Sequence, residues 1–75
     1  MKRSTSEVTY DPEVDMAYVR VVKAEAGASK KQVVIHRDDL PCEIIIDLDR
    51  NDRILGFELF NGSQSLPLDL LRQFR

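Results

Sequence analysis

Glu43-Ile44-Ile45-Ile46-Asp47-Leu48, then Asp49-Arg50-Asn51-Asp52, then Arg53-Ile54-Leu55-Gly56-Phe57-Glu58-Leu59-Phe60 read as a strand, a polar tip and a second strand. The two apolar runs are too short and too rich in β-branched and aromatic residues for helices, and the four residues between them suit a hairpin turn. With Arg50-Asn51 as the two tip residues, Ile46 faces Leu55 and Ile44 faces Phe57, so one face of the hairpin is uniformly apolar. A three-residue loop with a bulge would instead set Asp47 opposite Leu55.

Upstream, Glu7-Val8-Thr9-Tyr10 is a short strand stopped at Asp11-Pro12, because proline fixes its own φ and biases the residue before it away from the helical region. Met16 to Val22 alternates, with Ala17, Val19 and Val21 on one face and Tyr18 and Arg20 on the other, which predicts a hairpin with the first strand. Lys23 to Lys31, centred on Gly27, is expected to be a mobile loop in which Ala24-Glu25-Ala26 could form one turn. Gln32 to Arg37 is a further strand, ended by Asp38-Asp39-Leu40-Pro41. Downstream, Asn61-Gly62-Ser63 is a turn, and Leu66 to Arg75 is a short helix with Pro67 at its start and Leu68, Leu71 and Phe74 along one face. The expected fold is α+β, mainly β: a small antiparallel sheet of about four or five strands with one short C-terminal helix packed on one face. Residues 1–6 are expected to be a disordered tail and 7–75 a single domain.

A chain of 75 residues has room for one core, and at this size only about 60% of the unfolded surface is buried on folding. Cys42 is the one cysteine, so no intrachain disulfide forms, and a zinc site would need carboxylates around the single His36. No cofactor is expected. The sheet carries Ile45, Ile54 and Tyr18 on the face opposite Ile44, Ile46, Leu55 and Phe57, and one short helix covers one face at most. A homodimer is therefore expected, with a fold-back of loop 23–31 as the alternative. Eleven basic and 13 acidic side chains leave a formal charge of −2, which offers no footprint for nucleic acid or an anionic membrane. Met1-Lys2-Arg3-Ser4-Thr5-Ser6-Glu7 has no apolar run behind its basic residues, so a cytoplasmic protein is expected.

Two separated blocks carry a resemblance. Tyr10-Asp11-Pro12-Glu13-Val14-Asp15-Met16-Ala17-Tyr18-Val19-Arg20-Val21, and Ile46-Asp47-Leu48-Asp49 followed by Arg53-Ile54-Leu55-Gly56-Phe57-Glu58-Leu59-Phe60-Asn61, resemble the small bacterial proteins grouped as domain of unknown function 2283. That pattern is Tyr-Asp-Pro-Glu, an aspartate, a Tyr-hydrophobic-Arg strand and a later Gly-hydrophobic-Glu-hydrophobic strand. The resemblance implies a small β-sheet with a C-terminal helical segment and supplies no activity. Where the pattern has glycine in the last hairpin turn this chain has Asp52, which leaves Asn51 or Asp52 to take a left-handed backbone.

Three constellations could carry chemistry. Asp47, Asp49, Asn51 and Glu58 fall at positions 1, 3, 5 and 12 of a calcium-loop pattern, with Asp52 beside them and Ile54 at position 8. Against that reading, position 6 needs glycine and holds Asp52, and both flanks have strand rather than helix periodicity. Asp11, Glu13 and Asp15 form a second acidic group, which a cation or plain turn chemistry would explain, and a shared cation site would need this turn to lie beside the 47–52 tip. His36 and Cys42 could form a thiolate–imidazole pair, against the plainer reading of a packed thiol and a surface histidine. Arg20 suits an anion or a cross-strand carboxylate.

The leading expectation is a non-enzymatic protein-binding module acting as a small dimer, one form of which is the neutralising partner of a small toxin. The alternatives are a divalent-cation (calcium) binding protein using the acidic 47–58 hairpin, and a small enzyme with its site at a dimer interface.

Overall fold

The computed structural model of the chain describes residues 7–23 and 27–74. The expected tail at 1–6 and the possible turn at Ala24-Glu25-Ala26 lie outside the described residues. Five strands follow in order, β1 (Glu7–Asp11), β2 (Met16–Arg20), β3 (Lys31–Ile35), β4 (Ile44–Leu48) and β5 (Ile54–Phe60), and then α1 (Gly62–Ser65), α2 (Leu68–Leu71) and a 3-10 turn at Arg72–Phe74. The strands form one antiparallel sheet in the order β1-β2-β5-β4-β3, so the expected α+β, mainly β fold is present with β5 as its middle strand.

The central hairpin differs from the expected register by two residues. Ile44 pairs with Leu59 and Ile46 with Phe57, rather than with Phe57 and Leu55. A shift of two leaves every side chain on its own face, so Ile44, Ile46 and Phe57 still share the apolar side. The cause is a longer tip. Asp49 Oδ1 accepts hydrogen bonds from the backbone N–H groups of Asn51 (2.8 Å) and Arg53 (3.0 Å), and Asp52 takes the left-handed conformation at φ 60°. The pairing then slips at Asp47/Leu48, where Leu48 meets Ile54 and Leu55 is the extra residue of a bulge. The bulge takes Ile54 out of simple alternation.

Alternation on the observed register puts Val8, Tyr10, Ala17, Val19, Phe57, Leu59, Ile44, Ile46, Val33 and Ile35 on one apolar face. The opposite, mixed face carries Thr9, Tyr18, Gly56, Glu58, Asp47, Ile45, Gln32 and Val34. The expected C-terminal helix is broken into short turns, with Pro67 preceding α2 and a further one-turn helix, α1, formed where a simple turn was expected. The main helix–sheet packing is α1 against β2 and β5. Gly62 permits it: a Cβ there would lie 2.8 Å from Tyr10 Cε1 and 3.5 Å from Ala17 Cβ. Phe74 then reaches back to Tyr10 with ring centroids 5.9 Å apart, while Leu68 points outward at 68% exposed. These contacts cover the β1–β2 end of the apolar face.

Asp15 ties this corner together. It takes φ 52° in the turn between β1 and β2, and its carboxylate accepts hydrogen bonds from Tyr10 Oη (2.6 Å), Ser63 N (2.8 Å) and Ser63 Oγ (2.7 Å). Asn61, which precedes α1, makes no side-chain cap of its own, so a residue distant in sequence satisfies the helix's free N–H. The Tyr10 and Ser63 hydrogen bonds hold the Asp15 carboxyl below its ordinary value of 3.8. A depressed folded-state pKa contributes stability above the ordinary carboxylate range, lost as pH falls through the lowered value. Asp15→Asn should therefore unfold at lower urea than the parent at pH 7, with the gap narrowing as pH falls below 3.8. Equal midpoints at pH 7 would refute this.

Candidate functional site

One polar network crosses the mixed face and touches four strands. Gln32 on β3 lies opposite Asp47 on β4, and its Nε2 donates to Asp47 Oδ1 (2.9 Å) and, reaching across β4, to Glu58 Oε2 on β5 (3.1 Å). Ser29 Oγ, at the approach to β3, donates to the same Asp47 oxygen at 3.4 Å. From the other side, Tyr18 on β2 lays its ring over Gly56 of β5, bringing its hydroxyl to the Asp47 carboxylate. The glycine is required there, since a Cβ would stand 2.6 Å from both Tyr18 Cζ and the Val19 carbonyl oxygen.

Among the described residues Asp47 is the buried charged one, 5% exposed. Among the described residues no lysine or arginine pairs with Asp47 or Glu58: Arg20 binds Glu7 (3.1 Å) and Lys31 reaches Asp52 (3.8 Å). Burial, followed by the charge of Asp47 and a hydrogen bond to it, pushes the Glu58 carboxyl above the ordinary glutamate value. Burial and the same aspartate raise the Tyr18 phenol. Beside the network, Thr9, Asp11, Val14, Met16, Tyr18 and Glu58 line an open cleft of about 300 Å³. Chemically, the set can hold and release a proton and presents acceptor oxygens at the cleft wall.

The structure brings together only part of the calcium-loop pattern. Asp47 and Glu58 meet on the mixed face, whereas Asp49 and Asp52 sit at the hairpin tip, Asp49 bonded to backbone N–H groups, including that of Asn51, and Asp52 close to Lys31. Among the described residues no three histidine, cysteine or acidic side chains are grouped to hold a metal ion. Met16 pairs with Phe60 and Arg20 with Gly56, so the Asp11–Asp15 turn and the 49–53 tip lie at opposite ends of the sheet and share no site. Asp11 Oδ1 accepts from the Glu13 N–H (3.0 Å), which is turn chemistry.

With this geometry in place, comparison with known proteins finds that a family model described as protein of unknown function (DUF2283) fits residues 7–63. The chain belongs to that family. No curated protein and no solved structure matches it. The DUF2283 span takes in all five strands and every member of the polar network. In this DUF2283 chain the two strand motifs read from sequence are side by side: Tyr18 pairs with Glu58, Arg20 with Gly56, and Tyr18 rests on Gly56. Gln32 and Ser29 were not singled out by sequence reasoning, because only the β3–β4 pairing sets them against Asp47. His36 is exposed with its nitrogens toward Asp38 (4.0 Å) and Glu43 (3.7 Å), and Cys42 is a buried thiol. Arg20 makes the cross-strand carboxylate pair, with Glu7.

Proposed function

We propose that the chain is a non-enzymatic protein-binding module that works as a homodimer through the apolar face of its sheet. The observation that supports this is the exposure of the centre of the sheet. Phe57 and Leu59 on the middle strand β5, and Ile44 and Ile46 beside them on β4, are only half-buried, and no side chain among the described residues is wholly withdrawn from solvent. In a monomer with a closed core these positions would be the driest. The helical turns spend their packing on the β1–β2 end, so the β3–β4–β5 half keeps an unshared apolar surface.

The occupant in this reading is a second copy. A two-fold axis through the open half sets Phe57, Ile46 and Val33 against their own equivalents, a self-complementary apolar contact with Lys31 at its edge. The three open strands, of about five residues each, span roughly 14 by 17 Å, on the order of 240 Å² in projection. Side-chain relief enlarges the accessible area of that half, and the contact stays at the small end of interfaces, below the ~800 Å² that each partner contributes to a standard one. A neutralising partner of a small toxin is a finer form of the same reading and rests on chain size and kind of family. The reading takes the chain as cytoplasmic, where a lone buried Cys42 stays reduced. No helix among the described residues is long and apolar enough to cross a membrane.

Sedimentation equilibrium at tens of micromolar should return twice the chain mass of 8.6 kDa. Val33→Lys, at the exposed rim of the open half, should weaken self-association at least about tenfold while leaving the strand circular dichroism unchanged, because a charge would be buried at the contact. A monomer at that concentration overturns the proposal.

A further inference from the structure

The Asp47–Glu58 contact places two carboxyl groups on one amide. Gln32 Nε2 has two hydrogens to give, lies 2.9 Å from Asp47 Oδ1 and 3.1 Å from Glu58 Oε2, and is the donor that the structure gives Glu58. Asp47 is almost wholly buried and accepts from Gln32 and Ser29, with the Tyr18 hydroxyl beside it, all three neutral. Two anions sharing one neutral donor, half out of water and without a cation, repel each other, and the inexpensive remedy is a proton on the more accessible of the two. That carboxyl then donates to Asp47, adding another donor to the buried carboxylate.

We propose that the folded chain carries one proton on Glu58, hydrogen-bonded to the Asp47 carboxylate, and that this shared proton makes the sheet a pH-sensitive element that loosens as pH rises. The groups facing Glu58 from each neighbouring strand favour that proton. On β2 it faces Tyr18, and Arg20 on the same side is engaged by Glu7 of β1. On β4 it pairs with Ile45 and has Asp47 as its diagonal neighbour, on β3 it meets the neutral Gln32, and Asp11 at the end of β1 lines the same cleft. The elevation of the Glu58 carboxyl above its ordinary 4.5 agrees with this arrangement. A folded-state pKa raised above the unfolded value contributes stability that is complete below the unfolded pKa and is lost as pH rises through the folded one. The window therefore opens near pH 4.5 and extends upward, clear of the acid side on which Asp15 and Asp39, both lowered, lose theirs.

The test is urea unfolding of the whole chain at fixed protein concentration and ionic strength, from about pH 4.5 to 8.5, for the parent and Glu58→Gln. The substituted amide mimics the neutral carboxyl and keeps a donor for Asp47. The parent's folding constant should fall with rising pH, by up to about tenfold per pH unit within the window, while E58Q stays level and matches or exceeds the parent at the alkaline end. Parallel curves for the two proteins overturn the proposal. A ¹³C titration of the Glu58 carboxyl in the unmodified chain gives a second reading, independent of any variant: a midpoint above 4.5 is expected, and one at or below 4.5 overturns it.

Discussion

Gly56→Ala should lower the stability of the domain by about 1–3 kcal/mol, seen as a fall in the thermal midpoint of roughly 4–8 °C for each kcal/mol. Ordinary strand propensity points the other way, since glycine weakens a strand interior and alanine would strengthen it slightly. Packing decides the sign here. The added methyl would stand 2.6 Å from Tyr18 Cζ and 2.6 Å from the backbone oxygen of Val19 on the neighbouring strand. A side chain could swing away, but a carbonyl held in the β2–β5 ladder cannot, so either the ladder opens or Tyr18 leaves Asp47. The double variant Gly56→Ala with Tyr18→Ala separates the two contributions. Partial recovery identifies the ring as the main obstacle, and none identifies the Val19 backbone. A Gly56→Ala protein as stable as the parent would show that the Tyr18 ring does not lie where the structure has it.

Much of this architecture is legible in the residues themselves, and the failures have a common physical origin. Strand positions and their faces follow from alternation, which is local, and they agree for all five strands to within a residue or two. The register of the central hairpin does not follow, because a slip of two residues preserves alternation and leaves the same apolar side chains in contact. What sets it is the Asp49 side chain bonding Asn51 and Arg53, with Asp52 in a left-handed conformation that the glycine-free tip only permits. Leu68 falls on the predicted inner face of a ten-residue helix, yet the segment closes into separate turns and turns that residue outward. The polar network was the least accessible part. Asp47 and Glu58 were legible as acidic residues on the two strands of one hairpin, but as members of a metal pattern. Their meeting with Gln32 depends on β3 lying beside β4, a contact that no local periodicity encodes.

Asp47→Ala should cost about 2 kcal/mol at neutral pH, more than any other single truncation on the mixed face. The loss does not come from the charge itself, which is expensive to hold at 5% exposure. It comes from the groups left behind. Gln32 keeps one partner, Glu58, while Ser29 loses its acceptor and the Tyr18 hydroxyl is left over a shallow void beside Gly56. Asp47→Asn separates charge from hydrogen bonding, because its carbonyl oxygen can still accept from Gln32 while its amide can donate to an ionised Glu58. The expected order of stability at pH 8 is therefore the parent and Asp47→Asn close together, with Asp47→Ala well below both. At pH 5 the parent should gain on Asp47→Asn, since falling pH favours the proton on Glu58, which then has a carboxylate to donate to. Urea midpoints for the three proteins at the two pH values decide the matter. An Asp47→Ala chain that unfolds with the parent would mean that the four strands are held by their ladders and apolar face alone, with the network contributing nothing to the fold.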